Sequence, residues 1–266
     1  MCEAACFFHS NMKVAITGKG GVGKSTIAGI LAHLAKRDGK TVLAVDADPD
    51  ANLAAALGVP ETEREKIIPI SQRVDLIEER TGAKLKQFGQ IFKLNPDVSD
   101  VAERFCYQFE GISILVLGAV EAGGSGCACP ENVFLRHLLS HIILHRDEFV
   151  IVDMEAGIEH LGRGTAKSID LMLVVLEPSS NSIATARSII TLAGQIGIDH
   201  FILVGNKIFS DSDRAYLTEQ VGEDHPLDFI PYSDNIKRAE RDGVSPFEGL
   251  KSDLLRNFQN LYNKVS

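Results

Sequence analysis

Cysteine is scarce in this chain: five in 266 residues, an odd number too thinly spread for a disulfide framework, which points to a reducing, cytoplasmic setting. No run of about 18 apolar residues offers a bilayer span, so no membrane association is expected. Positive charge is in short supply as well. A formal net charge of −9 argues against a surface generally built for nucleic-acid backbone and favours a small-molecule or protein partner. Internal repeats and low-complexity segments are absent. Residues 1–11 lack the basic flank and long apolar run of a signal peptide, so they read as a flexible N-terminal extension in which Cys2 and Cys6 are incidental and Met12 is a second candidate start. What is plentiful is apolar content, at 45%. Alternating apolar runs and helical patterns predict one α/β domain over residues 12–266, a mostly parallel central sheet flanked by helices.

The chain is organised around Gly18-Lys19-Gly20-Gly21-Val22-Gly23-Lys24-Ser25-Thr26, which fits G-x-x-x-x-G-K-[ST]. The context is the required one: Lys13 to Thr17 reads as a strand, and Ile27, Ile30, Leu31 and Leu34 recur at helical spacing. Glycines let successive backbone N–H groups turn onto phosphate oxygens, and the helix N-terminus adds partial positive charge. Lys24 then neutralises the outer phosphates of ATP or ADP while the Ser25 hydroxyl faces Mg²⁺. Lys19 is not required by that cradle.

The spelling Lys19-Gly20-Gly21-Val22-Gly23-Lys24-Ser25-Thr26 resembles the deviant Walker A loop of nitrogenase iron protein, MinD and ParA partition ATPases, arsenite-pump ATPases and nickel-insertion ATPases. The resemblance implies a homodimer in which Lys19 reaches the partner subunit's nucleotide. Further on, Thr41 to Val45 reads as a buried strand ending in Asp46-Ala47-Asp48-Pro49-Asp50, at the carboxyl end where α/β sheets bind ligands. By resemblance Asp48 positions or activates the attacking water, and Asp46 lies near the magnesium water shell. Asp50 reads as the cap of a helix over Asn52 to Leu57. Residues 61–110 are mixed in charge and broken by Pro and Gly, and they predict only short helices covering the sheet.

Ile112 to Leu117 resumes strand character before Gly123-Gly124-Ser125-Gly126-Cys127-Ala128-Cys129-Pro130. In extended backbone the thiols of Cys127 and Cys129 share one face, and Pro130 opens a helix behind them. A disulfide across one intervening residue is strained, and Cys-x-Cys among glycines is poor core filler, so metal binding is the expectation over simple packing. Two thiolates are half of a four-ligand site, and a two-fold axis between subunits would supply the other half; ligand type alone leaves nickel, zinc and copper(I) open. His137, His141 and His145 follow at helical spacing, a stripe explained as well by a polar helix face as by metal binding.

Phe149 to Asp153 is an apolar strand ending in an acid of the kind that holds magnesium through water, which pairs Asp153 with Ser25. Gly157 is a candidate γ-phosphate sensor. Together, Gly-Cys-Ala-Cys-Pro-Glu at 126–131 and Asp-Met-Glu-Ala-Gly-Ile-Glu-His-Leu-Gly-Arg-Gly-Thr at 153–165 resemble the CooC family of nickel-insertion ATPases. That resemblance implies a client, carbon monoxide dehydrogenase, and Ni²⁺ or Zn²⁺ at the dimer interface. An iron–sulfur cluster for electron transfer and MinD/ParA-type positioning are the alternative classes. Asn206-Lys207-Ile208-Phe209 resembles the guanine-reading N-K-x-D but puts Phe209 in place of the carboxylate, so adenine is preferred. By resemblance Asn206 contacts the base, with Lys207 beside it, and Pro231-Tyr232 closes over the ring. Residues 235–243 and 246–265 predict two helices, the second packed on the sheet.

Overall fold

The computed structural model describes residues 12–85, 87, 90–119, 129–156, 161, 163–222 and 225–266. In chain order the elements are β1 (Lys13–Gly18), α1 (Lys24–Arg37), β2 (Val42–Ala47), α2 (Leu53–Ala56), α3 (Glu61–Arg64), a 3₁₀ turn (Ile70–Gln72), α4 (Val74–Thr81), α5 (Val101–Phe105), β3 (Tyr107–Phe109) and β4 (Ile112–Val116). Then come α6 (Pro130–His145), β5 (Phe149–Met154), α7 (Arg163–Ala166), β6 (Leu171–Leu176), α8 (Ser180–Ile196), β7 (Phe201–Ile208), α9 (Asp211–Val221), β8 (Leu227–Pro231), α10 (Asp234–Asp242) and α11 (Ser252–Val265).

The eight strands form one sheet in the order β3-β4-β2-β5-β1-β6-β7-β8, and every pairing is parallel except β3 with β4. Both faces are covered, which is why β1, β5 and β6 are buried along their whole length and read as continuous apolar runs. Alternate side chains part to opposite faces: Val150, Val152 and Met154 pack with α4, α6, α8 and α9, while Phe149 and Ile151 pack with α1, α2 and α11. The strand next to β1 on one side is β5 and on the other β6, so β1 delivers its carboxyl end into the crevice where the connections diverge.

Two local features depart from the predicted pattern. The stretch 61–110 holds, besides its short helices, the antiparallel edge strand β3, joined to β4 by Glu110 and Gly111 at φ 47° and 77°. Positive φ at both central residues is the hairpin turn whose twist matches its strands, and Gly111 is the residue that allows it. The helix predicted from Pro246 begins only at Ser252. Residues before it are held elsewhere: the Phe247 N–H donates to Ser245 Oγ, and the Phe247 ring stacks on His33 of α1 with centroids 5.0 Å apart. α11 then buries Leu254, Phe258, Leu261, Tyr262 and Val265, as its periodicity predicts.

Lys13, at the opposite end of β1 from the crevice, is buried, and its Nζ donates to the carbonyls of Arg146 (2.5 Å) and Glu148 (3.4 Å), just past the end of α6. The first strand and the last turn of α6 therefore share one anchor.

Candidate functional site

Three apolar strands end in the polar residues of the site. β1 stops at Gly18, where an added Cβ would lie 2.2 Å from the carbonyl oxygen of Val175, so only glycine lets the chain leave the sheet here. Gly23, in the left-handed region at φ 97°, caps α1, and a Cβ there would meet Asn206 Nδ2 at 2.4 Å. Between them Gly20 and Gly21 are exposed and Lys19 is half-buried. No carboxylate among the described residues pairs with Lys19.

Lys24 and Asp48 meet at 3.2 Å with side-chain exposures of 6% and 12%, so the ammonium of the loop and the first acidic segment are in direct contact. Asp46 and Asp153 are fully buried and face each other as register partners on β2 and β5. Burial, reinforced by Asp153, pushes Asp46 up to about 7, against the pull of the Leu53 and Asp48 N–H groups that it accepts at 2.9 and 3.2 Å. Burial likewise raises Asp153 to about 6, with the Ser25 hydroxyl and the Lys24 charge offsetting part of the rise. The Ser25 hydroxyl stands near enough to favour the charged form, but neither oxygen of Asp153 makes a full hydrogen bond. Asp46, not Asp50, receives the N-terminus of α2: Asn52 precedes that helix without a side-chain cap, and the Asp50 N–H instead donates to Asp48 Oδ1 at 3.1 Å.

These carboxylates set a pH dependence. Each binds its proton more tightly folded than unfolded, so their contribution to stability is fully present below about pH 4 and is lost as pH rises through about 6 to 7. In chelator, denaturant unfolding of the wild type is expected to lose several kcal/mol across that window, about 3 kcal/mol of it from Asp153. Asp153→Asn is expected to flatten the decline; an unaltered slope in that variant refutes the assignment.

Beside the loop lies a cavity of about 310 Å³ lined among others by Gly23, Thr26, Asn206, Pro231, Tyr232 and Glu240. The Asn206 amide donates to the carbonyl of Val22 at 2.7 Å, and Lys207 Nζ donates to that of Gly21 at 2.5 Å while pairing with Glu177 at 3.6 Å. Lys207 adopts φ 57°, where β7 shifts register against β8. Phe209 stacks on Tyr232, centroids 4.2 Å apart, and the neighbouring acid, Asp213, is taken up by the N–H groups of Phe209 and Ser210 at the start of α9. One lining contact was not foreseen: Thr26 Oγ1 donates to Glu240 Oε1 at 2.6 Å, across 214 residues of chain. Thr26 closes the phosphate-loop motif but Glu240 carries none, so only the tertiary fold reveals the pair.

β4, the strand that precedes the cysteines in the chain, ends at the same edge, where the Leu117 N–H donates to the carbonyl of Asp46 at 2.8 Å. Cys129 is half-buried and immediately precedes Pro130, the first residue of α6, in extended backbone. Cys127 and Gly157 lie outside the described residues. Burial pushes the Cys106 thiol up to about 12.

Strand, glycine loop, buried lysine and paired acids at the carboxyl edge of a parallel sheet define a P-loop ATPase. The chain belongs to the family described as CobQ/CobB/MinD/ParA nucleotide binding domain, matched over residues 13–247, and within it to the CooC family. The carbon monoxide dehydrogenase accessory protein CooC of Rhodospirillum rubrum is 46% identical over 237 residues, 89% of this chain and 90% of that one. An uncharacterized ATP-binding protein of Methanocaldococcus jannaschii is 44% identical over 96% of this chain and 97% of its own. Among solved structures, MinD complexed with Mg-ADP from Pyrococcus horikoshii superposes with a TM-score of 0.65 at 21% identity, covering 96% of both chains, a likeness of fold.

Proposed function

We propose that this chain is a homodimeric, ATP-dependent metallochaperone of the cytoplasm that inserts nickel into the active-site cluster of carbon monoxide dehydrogenase. The observation that carries the reading is the near-full-length similarity to a carbon monoxide dehydrogenase accessory protein, joined to the end of β4, ahead of the cysteines, at the same sheet edge as the phosphate loop.

The phosphates of ATP lie along Gly20 to Thr26 and draw Lys24 away from Asp48, which leaves that carboxylate to orient the attacking water. Adenine enters the 310 Å³ cavity, where the Asn206 carbonyl oxygen accepts from the base amino group and Pro231 and Tyr232 lie along the ring. Guanine is disfavoured because Asp213 is already committed to backbone N–H groups. Magnesium suits the residues present, since Asp153 offers two buried oxygens that no protein group satisfies and Ser25 stands close by. When bound, the ion neutralises charge on the outer phosphates. Lys19 completes the partner's site, Gly157 senses the outermost phosphate, and Cys127 and Cys129 of both subunits hold Ni²⁺ or Zn²⁺ between them.

Cys127→Ala is expected to lose stoichiometric metal while binding ATP with unchanged affinity, as read by metal analysis of anaerobic protein and its mass in solution with and without ATP. Unchanged metal content would place the site elsewhere, and a strictly monomeric mass in every state would refute the shared cage.

A further inference from the structure

α6 carries a second set of metal-competent side chains away from Cys129. His137, His141 and His145 recur every fourth residue, so successive imidazoles stand above one another along one side of the helix. The core face of α6, formed by Phe134, Leu135, Leu138, Leu139, Ile142 and Ile143, is buried. His145 is exposed and the other two are half-buried, which sets the stripe at the margin where ions in solution reach it.

The rings of His141 and His145 are already in contact, with centroids 4.8 Å apart and planes tilted by 46°. Two imidazoles that share one metal at roughly 2.0–2.1 Å from each nitrogen bring their ring centres to roughly 4.5–5.5 Å, so little rearrangement separates this pair from a chelate. The tilt is not that of a stacked pair, and two imidazolium ions would repel at this distance. Burial, then His145 and Arg146, lower the proton affinity of His141 against the opposing pull of Asp97, which favours the neutral ligand form. Among the described residues no third His, Cys, Asp or Glu closes around them, so further coordination positions stay open to water.

We propose that His141 and His145 form an exchangeable two-imidazole site for a borderline divalent cation, Ni²⁺, Zn²⁺ or Cu²⁺. Counted along the helix at about 1.5 Å per residue, its nearer ligand, His141, lies roughly 18 Å from Cys129. Imidazole suits these metals, and an open two-ligand site releases them more readily than a closed thiolate cage. His137 occupies the next position toward Cys129, so metal taken up from solution has a stepping point on the way to tighter ligands. The site itself rests on the geometry of α6; only its role in feeding the cysteines rests on the proposed function.

The test is calorimetric titration of Ni²⁺ into full-length protein carrying Cys2, Cys6, Cys127 and Cys129 all as serine. Saturable binding of a single equivalent is expected. His145→Gln and His141→Gln in that background are each expected to weaken it roughly tenfold or more, since even outer groups around a metal ligand are worth about that much. His145 is exposed, and retained ATP turnover in its variant checks that the fold is intact. Undetectable Ni²⁺ binding in the thiol-free protein, or equal affinity with both histidines replaced, overturns the proposal. Either result leaves cysteine-dependent metal binding by the wild type to be judged on its own.

Discussion

Lys24→Ala is expected to reduce ATP turnover to background and to destabilise the fold by about 3–5 kcal/mol, the usual cost of removing one partner of a buried ion pair. The stability loss follows from geometry: Lys24 and Asp48 are 3.2 Å apart and almost sealed from water, and Asp48 shares its surroundings with Asp46 and Asp153. Without the ammonium, three carboxylates gather with their cation gone. Adding Asp48→Asn to Lys24→Ala is therefore expected to recover much of the lost stability but none of the turnover. Urea unfolding read beside phosphate release separates the two effects. A single variant as stable as wild type would show that the pair contributes nothing.

Lys19→Ala is expected to behave in the opposite way: stability within about 0.5 kcal/mol of wild type, ATP still bound, and turnover reduced roughly 10³-fold. Lys19 is only half-buried and pairs with no described carboxylate, so its removal leaves no orphaned charge inside the protein. An action across the dimer has a signature of its own. When Lys19→Ala is mixed with Asp48→Asn, each inactive alone, a mixed dimer combines one intact Asp48 site with the other subunit's Lys19, and part of the turnover is expected to return. Normal activity in the single variant, or no recovery in a verified mixed dimer, would sink the cross-subunit role.

Much of the fold was legible because its central strands are buried on both faces and so spell themselves as apolar runs bounded by glycine and acid. The phosphate loop was legible for the same local reason, as strand, loop and helix follow one another without interruption. What escaped depends on distant partners. β3 is three residues long and becomes a strand only by pairing with β4, the Glu110-Gly111 turn between them being its one local signal. The start of α11 is delayed because Phe247 is turned onto His33, a neighbour from the other end of the chain. Within the site, Asp46 and Asp153 were each visible at a strand end, but their confrontation arises from the order of strands in the sheet. Lys207 and Asn206, expected at the base, also grip the carbonyls of Gly21 and Val22, a bracing of the loop that no spacing announces.

The Lys13 contact beyond the end of α6 makes that helix a lever with a fixed foot. Its 16 residues measure about 24 Å at 1.5 Å each, with Cys129 just ahead of its first turn and the anchor on the strand that carries the phosphate loop. Rocking it by about 5° about that foot sweeps the tip through roughly 2 Å, close to one metal–sulfur bond length. For the proposed thiolate grip, opening and shutting would ask for no unfolding and no long hinge, only a slight lean of one rod.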